Sequence, residues 1–307
     1  MGTSINIVIN FNKCTKTSIT ASNRIATWIS NLLSYRLVDD KKLATYVLQH
    51  SIGNVIIING MYGFCDFKDE VKEIILRANK VIWIGNDYAI EIPSQIRFIK
   101  IQSNFYRIAQ YSNFDNIDNH IIVDFNKLTF DKTIRKMKYK YEGLFYYGAL
   151  RKDRVQKFSG YLKSNSNLKV TISTSKKNQK EFYNINNAAV FVNPIPNVID
   201  GMQYFQSSVY IEDVINKKIE LTPANRFYEC LSAKILLLYD IDSKQTLERA
   251  GFWNDNFAVA NQEDVIDKLK NYDELVTLQQ ELFNNGTQDY KLELEKDFLL
   301  AIKHILK

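Results

Sequence analysis

The run Asn54-Val55-Ile56-Ile57-Ile58, closed by Asn59-Gly60, decides the fold. Four β-branched residues in a row leave no polar position for a wet face, so the run reads as a central parallel strand covered on both sides. Residues 67–78 follow with apolar positions at Val71, Ile74, Ile75 and Ala78, a helical period. Lys80-Val81-Ile82-Trp83-Ile84 is the next strand, and it ends in Gly85-Asn86-Asp87. Strand, helix and strand at this spacing make a βαβ unit, so the first part of the chain is a doubly wound sheet.

Reading backwards, residues 5–10 (INIVIN) form another buried strand. Residues 22–33 are helical through Ile25, Trp28, Ile29, Leu32 and Leu33, with Ser22 as the expected N-cap. Reading forwards, the pattern restarts near residue 143. Residues 143–147 (GLFYY) are a strand, 148–152 a tight turn and 155–163 a helix. Strands are expected at 168–173, 188–192, 207–210 and 234–239 (KILLLY). Between the last two, residues 225–233 form a helix that buries Phe227, Cys230 and Leu231. Helices follow at 264–269 and 273–283. The final stretch, 291–305, is amphipathic through Leu294, Phe298, Ile302 and Ile305. The expected fold class is α/β, with two Rossmann-like doubly wound domains facing each other across a cleft. Residues 1–138 with the returning helix 291–307 make the first domain, and 139–290 the second. Ligands of such sheets bind at the carboxyl ends of the strands.

Composition bounds the function classes. With 307 residues, 46% hydrophobic and 24% charged, the chain is an ordinary globular protein with room for two cores. Four prolines and 11 glycines exclude a long flexible linker. No apolar run reaches the roughly 18–20 residues of a membrane span, so no membrane partner is expected. Met1-Gly2-Thr3-Ser4 leads directly into a strand without a signal-like segment. Cys14, Cys65 and Cys230 fit neither a zinc site nor a disulfide framework, and the expected compartment is a reducing cytoplasm. Of the net charge of +6, much sits between Lys132 and Lys157, where nine Lys or Arg face only Glu142 and Asp153. That run is either a solvated face or a surface for a phosphate-rich partner.

Three constellations carry chemistry. Gly148, just after a buried strand, lets the backbone turn sharply beside a ligand, and the following helix start favours an anion. Arg151 and Arg154, three residues apart, could fork onto a diphosphate. The competing reading is surface charge. Arg226 and Glu229 share one helix face at i and i+3. There the guanidinium could reach a phosphate and the carboxylate both ribose hydroxyls, unless they form an ordinary surface ion pair. Asp87, past the strand at 80–84, is positioned to take the proton of an acceptor hydroxyl, or it belongs to a simple Asx turn.

Together these segments resemble the phage DNA glycosyltransferases of the GT-B fold: the T-even bacteriophage DNA β-glucosyltransferases and the related phage DNA hexosyl- and arabinosyltransferases. The resemblance runs over residues 5–10, 54–59, 80–93, 145–157 and 226–269. Its most specific element is Arg226-Phe227-Tyr228-Glu229-Cys230, followed by 234–240 and 257–259. It implies that Arg151, Arg154 and Arg226 bind the donor diphosphate, Glu229 the ribose, and Asp87 acts as catalytic base. It also implies that the backbone at Ile195, in Asn193-Pro194-Ile195-Pro196, meets the uracil edge. The turn before Arg154 is one residue shorter than in the β-glucosyltransferases. Asn23 stands in the sugar or acceptor region, where the family has a glutamate. In Met61-Tyr62-Gly63-Phe64-Cys65, Tyr62, Gly63 and Phe64 fall on the family's DNA-inserting loop, which would wedge an aromatic ring into the base stack.

The implied activity is an inverting transfer of glucose, arabinose or a similar sugar from a UDP-sugar to a hydroxymethylated pyrimidine, such as 5-hydroxymethylcytosine, in duplex DNA. The target base would be flipped out of the helix. The UDP-sugar is a co-substrate, no tightly bound cofactor is expected, and Mg or Mn is compatible with the reaction. No residue is assigned to a metal, and Asp66-Phe67-Lys68-Asp69 reads as an acidic helix start. A monomer in the host cytoplasm is expected. One alternative is a GT-B enzyme with a saccharide or other non-DNA acceptor, and another is a non-catalytic DNA-binding protein on the same fold.

Overall fold

The computed structural model describes residues 4–11, 21–39, 49–59, 69–85, 105–109, 120–129, 138–148, 150, 154–195, 198–212, 223–284 and 287–307. The chain divides into two compact units: Met1–Leu128 with Glu293–Lys307, and Thr129–Leu292. Among the described residues no helix is long and apolar enough to cross a membrane.

The first unit holds β1 (Ile5–Phe11), α1 (Ala21–Leu33), β2 (Arg36–Asp39), β3 (Ile52–Asn59), α2 (Asp69–Arg77), β4 (Val81–Gly85), β5 (Phe105–Ala109) and β6 (His120–Ile122). Its strands pair in the order β2-β1-β3-β4-β5-β6, and every pairing is parallel. Alternation along the strands explains the unbroken apolar runs. Ile7, Ile9, Val55, Ile57 and Trp83 point to the face that packs on Ile74 and Ile75 of α2. Val8, Ile56, Ile58, Ile82 and Ile84 point to the other face, against Ile25 and Ile29 of α1. The C-terminal helix, Thr287–Leu306, adds Leu294, Phe298, Ile302 and Ile305 to that second face. Phe298 lies 5.1 Å from Trp28 between ring centroids, and Lys80 Nζ donates to the Ile305 carbonyl at 2.5 Å. Ser22 is a correction: α1 already runs through Ala21, so Ser22 lies inside the first turn and is not its cap.

The second unit holds β7 (Tyr141–Tyr147), α3 (Val155–Leu162), β8 (Val170–Ser173), α4 (Lys176–Tyr183), β9 (Val190–Val192), α5 (Val198–Met202), β10 (Phe205–Tyr210), α6 (Asn225–Ser232), β11 (Leu236–Asp240) and β12 (Ala258–Val259). The order β12-β11-β10-β7-β8-β9, all parallel, is the Rossmann arrangement, with its switch point between β7 and β10. Phe227 of α6 anchors the core, with the rings of Tyr210, Tyr228, Tyr239 and Phe252 between 5.1 and 5.7 Å away. Lys234, expected at the start of a strand, has φ 58° instead. It forms the left-handed step that ends α6, and its N–H donates to the Leu231 carbonyl at 3.0 Å.

Candidate functional site

At a switch point the two flanking connections leave the sheet in opposite directions, and a crevice opens at the strand ends. In the second unit this point lies just beyond Tyr147 of β7 and Tyr210 of β10. Gly148 turns the chain there with φ +114°, a backbone conformation that side chains with a Cβ rarely adopt. Its N–H donates to the Ser173 carbonyl at the end of β8, 3.0 Å away. A Cβ on Gly148 would stand 2.7 Å from Arg226 Nη2, so the glycine makes room for a guanidinium.

Arg226 and Glu229 both belong to α6. The Arg226 guanidinium sits 4.4 Å from the ring centroid of Tyr146 and 5.0 Å from that of Tyr147. Its Nη1 donates to the Tyr146 hydroxyl at 2.7 Å, while its Nε is buried without a hydrogen-bond partner among the described residues. Burial works against the charge, but the pKa stays above the ordinary arginine value, with the bond to the Tyr146 hydroxyl among the causes, and the group remains a cation. A buried cationic donor with an unmade bond is unfavourable until an acceptor arrives, and a phosphate oxygen is a suitable one.

Glu229 is 6% exposed. Its Oε1 accepts from Asn225 Nδ2 at 2.7 Å, one helical turn earlier, and its Oε2 accepts from the Tyr147 hydroxyl. Burial, and then the Glu229 charge, hold the Tyr147 pKa well above the usual phenol value, which keeps it a donor. Arg226 and Glu229 therefore share a helix face as expected but do not form a pair with each other. The Tyr146 hydroxyl bonds Arg226 and the Tyr147 hydroxyl bonds Glu229, while the Tyr147 ring also flanks the guanidinium.

Arg154 occupies the N-cap position of α3 without a side-chain capping bond and is only 6% exposed. Its Nη1 donates to the Ile211 carbonyl at 3.3 Å, just past β10, and its Cζ lies 5.6 Å from the Phe158 ring centroid. It thus sits at the same switch point, anchored just past the carboxyl end of the central strand β10. Ile195 is half-buried and follows β9, where its side chain fills the space a Cβ on Gly201 would need. Ser173 links this segment to the Gly148 turn, because its hydroxyl donates to the Asn193 carbonyl at 3.2 Å. A cavity of about 1110 Å³ reaches Ile195 but lies mainly at the amino ends of β7, β8 and β10, against Tyr141, Val170 and Phe205, and neither Gly148, Arg154, Arg226 nor Glu229 lines it.

In the first unit, Asn23 Oδ1 accepts from Asn10 Nδ2 at 2.5 Å. Asn10 is near the end of β1, beside that sheet's own switch point between β1 and β3. Arg151, Asp87, Tyr62, Gly63 and Phe64 lie outside the described residues. Among the described residues no group of three or more His, Cys, Asp or Glu could hold a metal ion. Sequence reasoning missed Tyr146, Tyr147 and Asn225. Only Asn225 left a signal, its i,i+4 spacing to Glu229.

Comparison with known proteins places this geometry in a wider setting. No protein-family profile matches the chain, and no curated protein sequence does. Solved structures do match over nearly the whole length. The DNA modifying enzyme β-glucosyltransferase, solved in the presence and absence of its substrate uridine diphosphoglucose, is 15% identical with a TM-score of 0.69. The match covers 97% of this chain and 99% of that one. T4 phage BGT in complex with UDP and Mn2+ gives 15% identity and a TM-score of 0.67 over the same shares. An α-glucosyltransferase in complex with UDP-glucose and DNA containing an abasic site is 9% identical, with a TM-score of 0.54 over 99% and 100% of the two chains. The chain has the α/β GT-B fold of these glucosyltransferases.

Proposed function

We propose that the chain is an inverting glycosyltransferase that moves a sugar from a UDP-sugar to the hydroxymethyl group of a modified pyrimidine, such as 5-hydroxymethylcytosine, in duplex DNA. One observation carries the donor half of this reading. At the switch point of a Rossmann-ordered sheet, Arg226 sets its Nη2 against a glycine turn and keeps a buried, unmatched Nε, three residues from the buried carboxylate of Glu229. A nucleoside diphosphate has the matching groups, phosphate oxygens for the cation and ribose hydroxyls for the carboxylate. Fold likeness to enzymes solved with UDP-glucose, one of them with DNA, supports the choice of donor and acceptor.

In this mechanism Arg226, with Arg151 and Arg154, holds the diphosphate and offsets the charge that grows on it as the sugar C1–oxygen bond breaks. Glu229 orients the ribose, and the backbone at Ile195 meets the base. Asn23 faces the sugar or acceptor. Asp87 takes the proton of the hydroxymethyl oxygen as that oxygen bonds to C1 from the opposite side, which inverts the configuration. The acceptor base is flipped out, with Tyr62, Gly63 or Phe64 filling the stack. The lysines and arginine between Lys132 and Lys140 contribute phosphate contacts that weaken as salt rises. A divalent cation would neutralise charge on the diphosphate, with the diphosphate oxygens as its ligands.

The test incubates the protein with hydroxymethylated and unmodified duplex DNA across a panel of nucleotide-sugars, followed by mass spectrometry of the released nucleosides. A hexose or pentose mass on the hydroxymethylated base alone is expected. Asp87→Ala should abolish it while UDP binding persists. Arg226→Ala should weaken UDP binding at least about tenfold, the worth of a charge-assisted contact. No glycosylated nucleoside with any donor, or full turnover by Asp87→Ala, overturns the reading.

A further inference from the structure

Tyr146 and Tyr147 are adjacent in β7, so their side chains leave the strand on opposite faces. Tyr146 is fully buried, 4.5 Å edge-on to Phe158 and 5.7 Å from Phe182. Tyr147 stacks along its own face on Phe145 at 6.1 Å. Their hydroxyls nevertheless reach two different groups of one helix. Tyr146 accepts from Arg226 Nη1, and Tyr147 donates to Glu229 Oε2. We propose that Tyr146 and Tyr147 are two separate positioning residues for a nucleoside diphosphate, Tyr146 acting through Arg226 on the diphosphate and Tyr147 acting through Glu229 on the ribose. The proposal rests on the donor reading above and refines it.

The physical reason is preorganisation. An arginine side chain carries much rotamer freedom, and a binding site that fixes it beforehand loses less on binding. Two flanking rings and one hydroxyl fix the guanidinium of Arg226 while its Nε remains to be matched. A carboxylate with one donor on each oxygen, here Asn225 and Tyr147, cannot rotate about its terminal bond without losing both. That orientation suits two neighbouring hydroxyls, and a single hydroxyl uses only half of it. Rigid rings rooted in the sheet core thus hold both groups of α6, and each hydroxyl serves one of them.

The experiment titrates UDP, 2′-deoxy-UDP and inorganic pyrophosphate into the wild type, Tyr146→Phe, Tyr147→Phe, and the double variants Arg226→Ala/Tyr146→Phe and Glu229→Gln/Tyr147→Phe. Phenylalanine keeps both rings, and near-ultraviolet circular dichroism verifies the packing. Tyr146→Phe should weaken all three ligands by one common factor of about ten. Tyr147→Phe should weaken UDP, spare pyrophosphate, and bring the affinity ratio of UDP to 2′-deoxy-UDP toward one. In the Arg226→Ala and Glu229→Gln backgrounds the respective tyrosine change should add nothing, as expected of a residue that acts only through its partner. Additive losses in the double variants, or equal losses on all ligands from both tyrosines, overturn the positioning roles while UDP binding by the wild type leaves the donor reading standing. A wild type that binds neither UDP nor pyrophosphate overturns the donor reading, and the positioning roles with it.

Discussion

Replacing Gly148 by alanine probes the site where it is tightest. Two effects add. A φ of +114° is unfavourable for any residue with a Cβ, and such a strained conformation costs about 1–3 kcal/mol. The new carbon would also stand 2.7 Å from Arg226 Nη2, so the guanidinium must retreat by roughly 1 Å to reach ordinary contact. Retreat is easy for the end of a long side chain, but it gives up the 2.7 Å bond to Tyr146 and the seat between two rings. Losing a contact of about 1.5–3 kcal/mol to a charged group corresponds to roughly 10- to 150-fold weaker UDP binding. The strain itself should lower the melting temperature by about 2–4 °C per kcal/mol for a unit of this size. Gly143→Ala is the control. Its φ is +91°, and its Cβ would collide with the Lys169 carbonyl, a backbone atom that cannot retreat. It should cost more stability than Gly148→Ala, yet leave UDP affinity unchanged in the folded protein. Calorimetric titration and thermal melts of both variants decide the matter. If Gly148→Ala melts lower but binds UDP like the wild type, or if Gly143→Ala loses the same affinity, Arg226 is not where the diphosphate binds.

Three further outcomes follow from packing and titration. Phe298→Ala should destabilise the first unit by about 3–5 kcal/mol. It should also shift the fluorescence of Trp28, its ring neighbour at 5.1 Å; an unchanged urea midpoint would contradict the packing of the last helix. Tyr161→Phe removes the hydroxyl that reaches buried Asp240 Oδ2 at 2.7 Å and the Val259 carbonyl at 2.8 Å, and the loss of stability should be about 1–3 kcal/mol with UDP affinity intact. Burial pushes the Cys230 thiol up to about 12, whereas an unfolded thiol titrates near about 8.5. The folded state therefore keeps a proton that the unfolded state loses, so this contribution is complete below the lower value and disappears as pH rises toward the upper one. Urea midpoints should fall above roughly pH 8.5, less so in Cys230→Ala, and an identical slope in that variant would refute the assignment.

How much of this was legible depended on whether one chain segment held the signal. The long apolar runs around Val55, Val81, Leu144 and Leu236 are strands because parallel strands covered on both faces need such runs. The segment KKNQKEFY of α4 offered no period, since only Phe182 is buried. β2 is four residues, two of them charged, and it forms because β1 supplies a parallel edge. At the site, the turn at Gly148 and the spacing of Arg226 and Glu229 were readable, because both are local. Arg154 had two readings, a diphosphate-binding partner of Arg151 or surface charge, and no local pattern showed that it lies buried against Phe158 and the Ile211 carbonyl. The tyrosines were hidden for a different reason. In sequence they complete a hydrophobic strand, and only the fold brings their hydroxyls to residues some 80 positions later.

The two ends of the second sheet show why the ligand site belongs at one of them. At the amino ends of the strands, buried polar groups are neutral and matched to backbone. Gln206 Oε1 accepts from the Gly143 N–H at 2.7 Å, and the Ser207 hydroxyl donates to the Gly143 carbonyl at 2.8 Å. Gln279 spans the Leu237 N–H and the Ile235 carbonyl at 3.0 and 2.7 Å. Such pairings lock the register and ask for nothing further. At the carboxyl ends the buried groups include charged ones, Arg154, Glu212, Glu229 and Asp240, and the half-buried Arg226 keeps an unmatched, buried Nε. Burying charge is expensive for a fold unless partners compensate, and hydrophobic residues of similar size often serve stability better. Packing alone gives no reason to set a guanidinium with an unmatched nitrogen beside a glycine in a left-handed turn. A ligand that brings phosphate oxygens does, because it supplies an acceptor for Arg226 Nε.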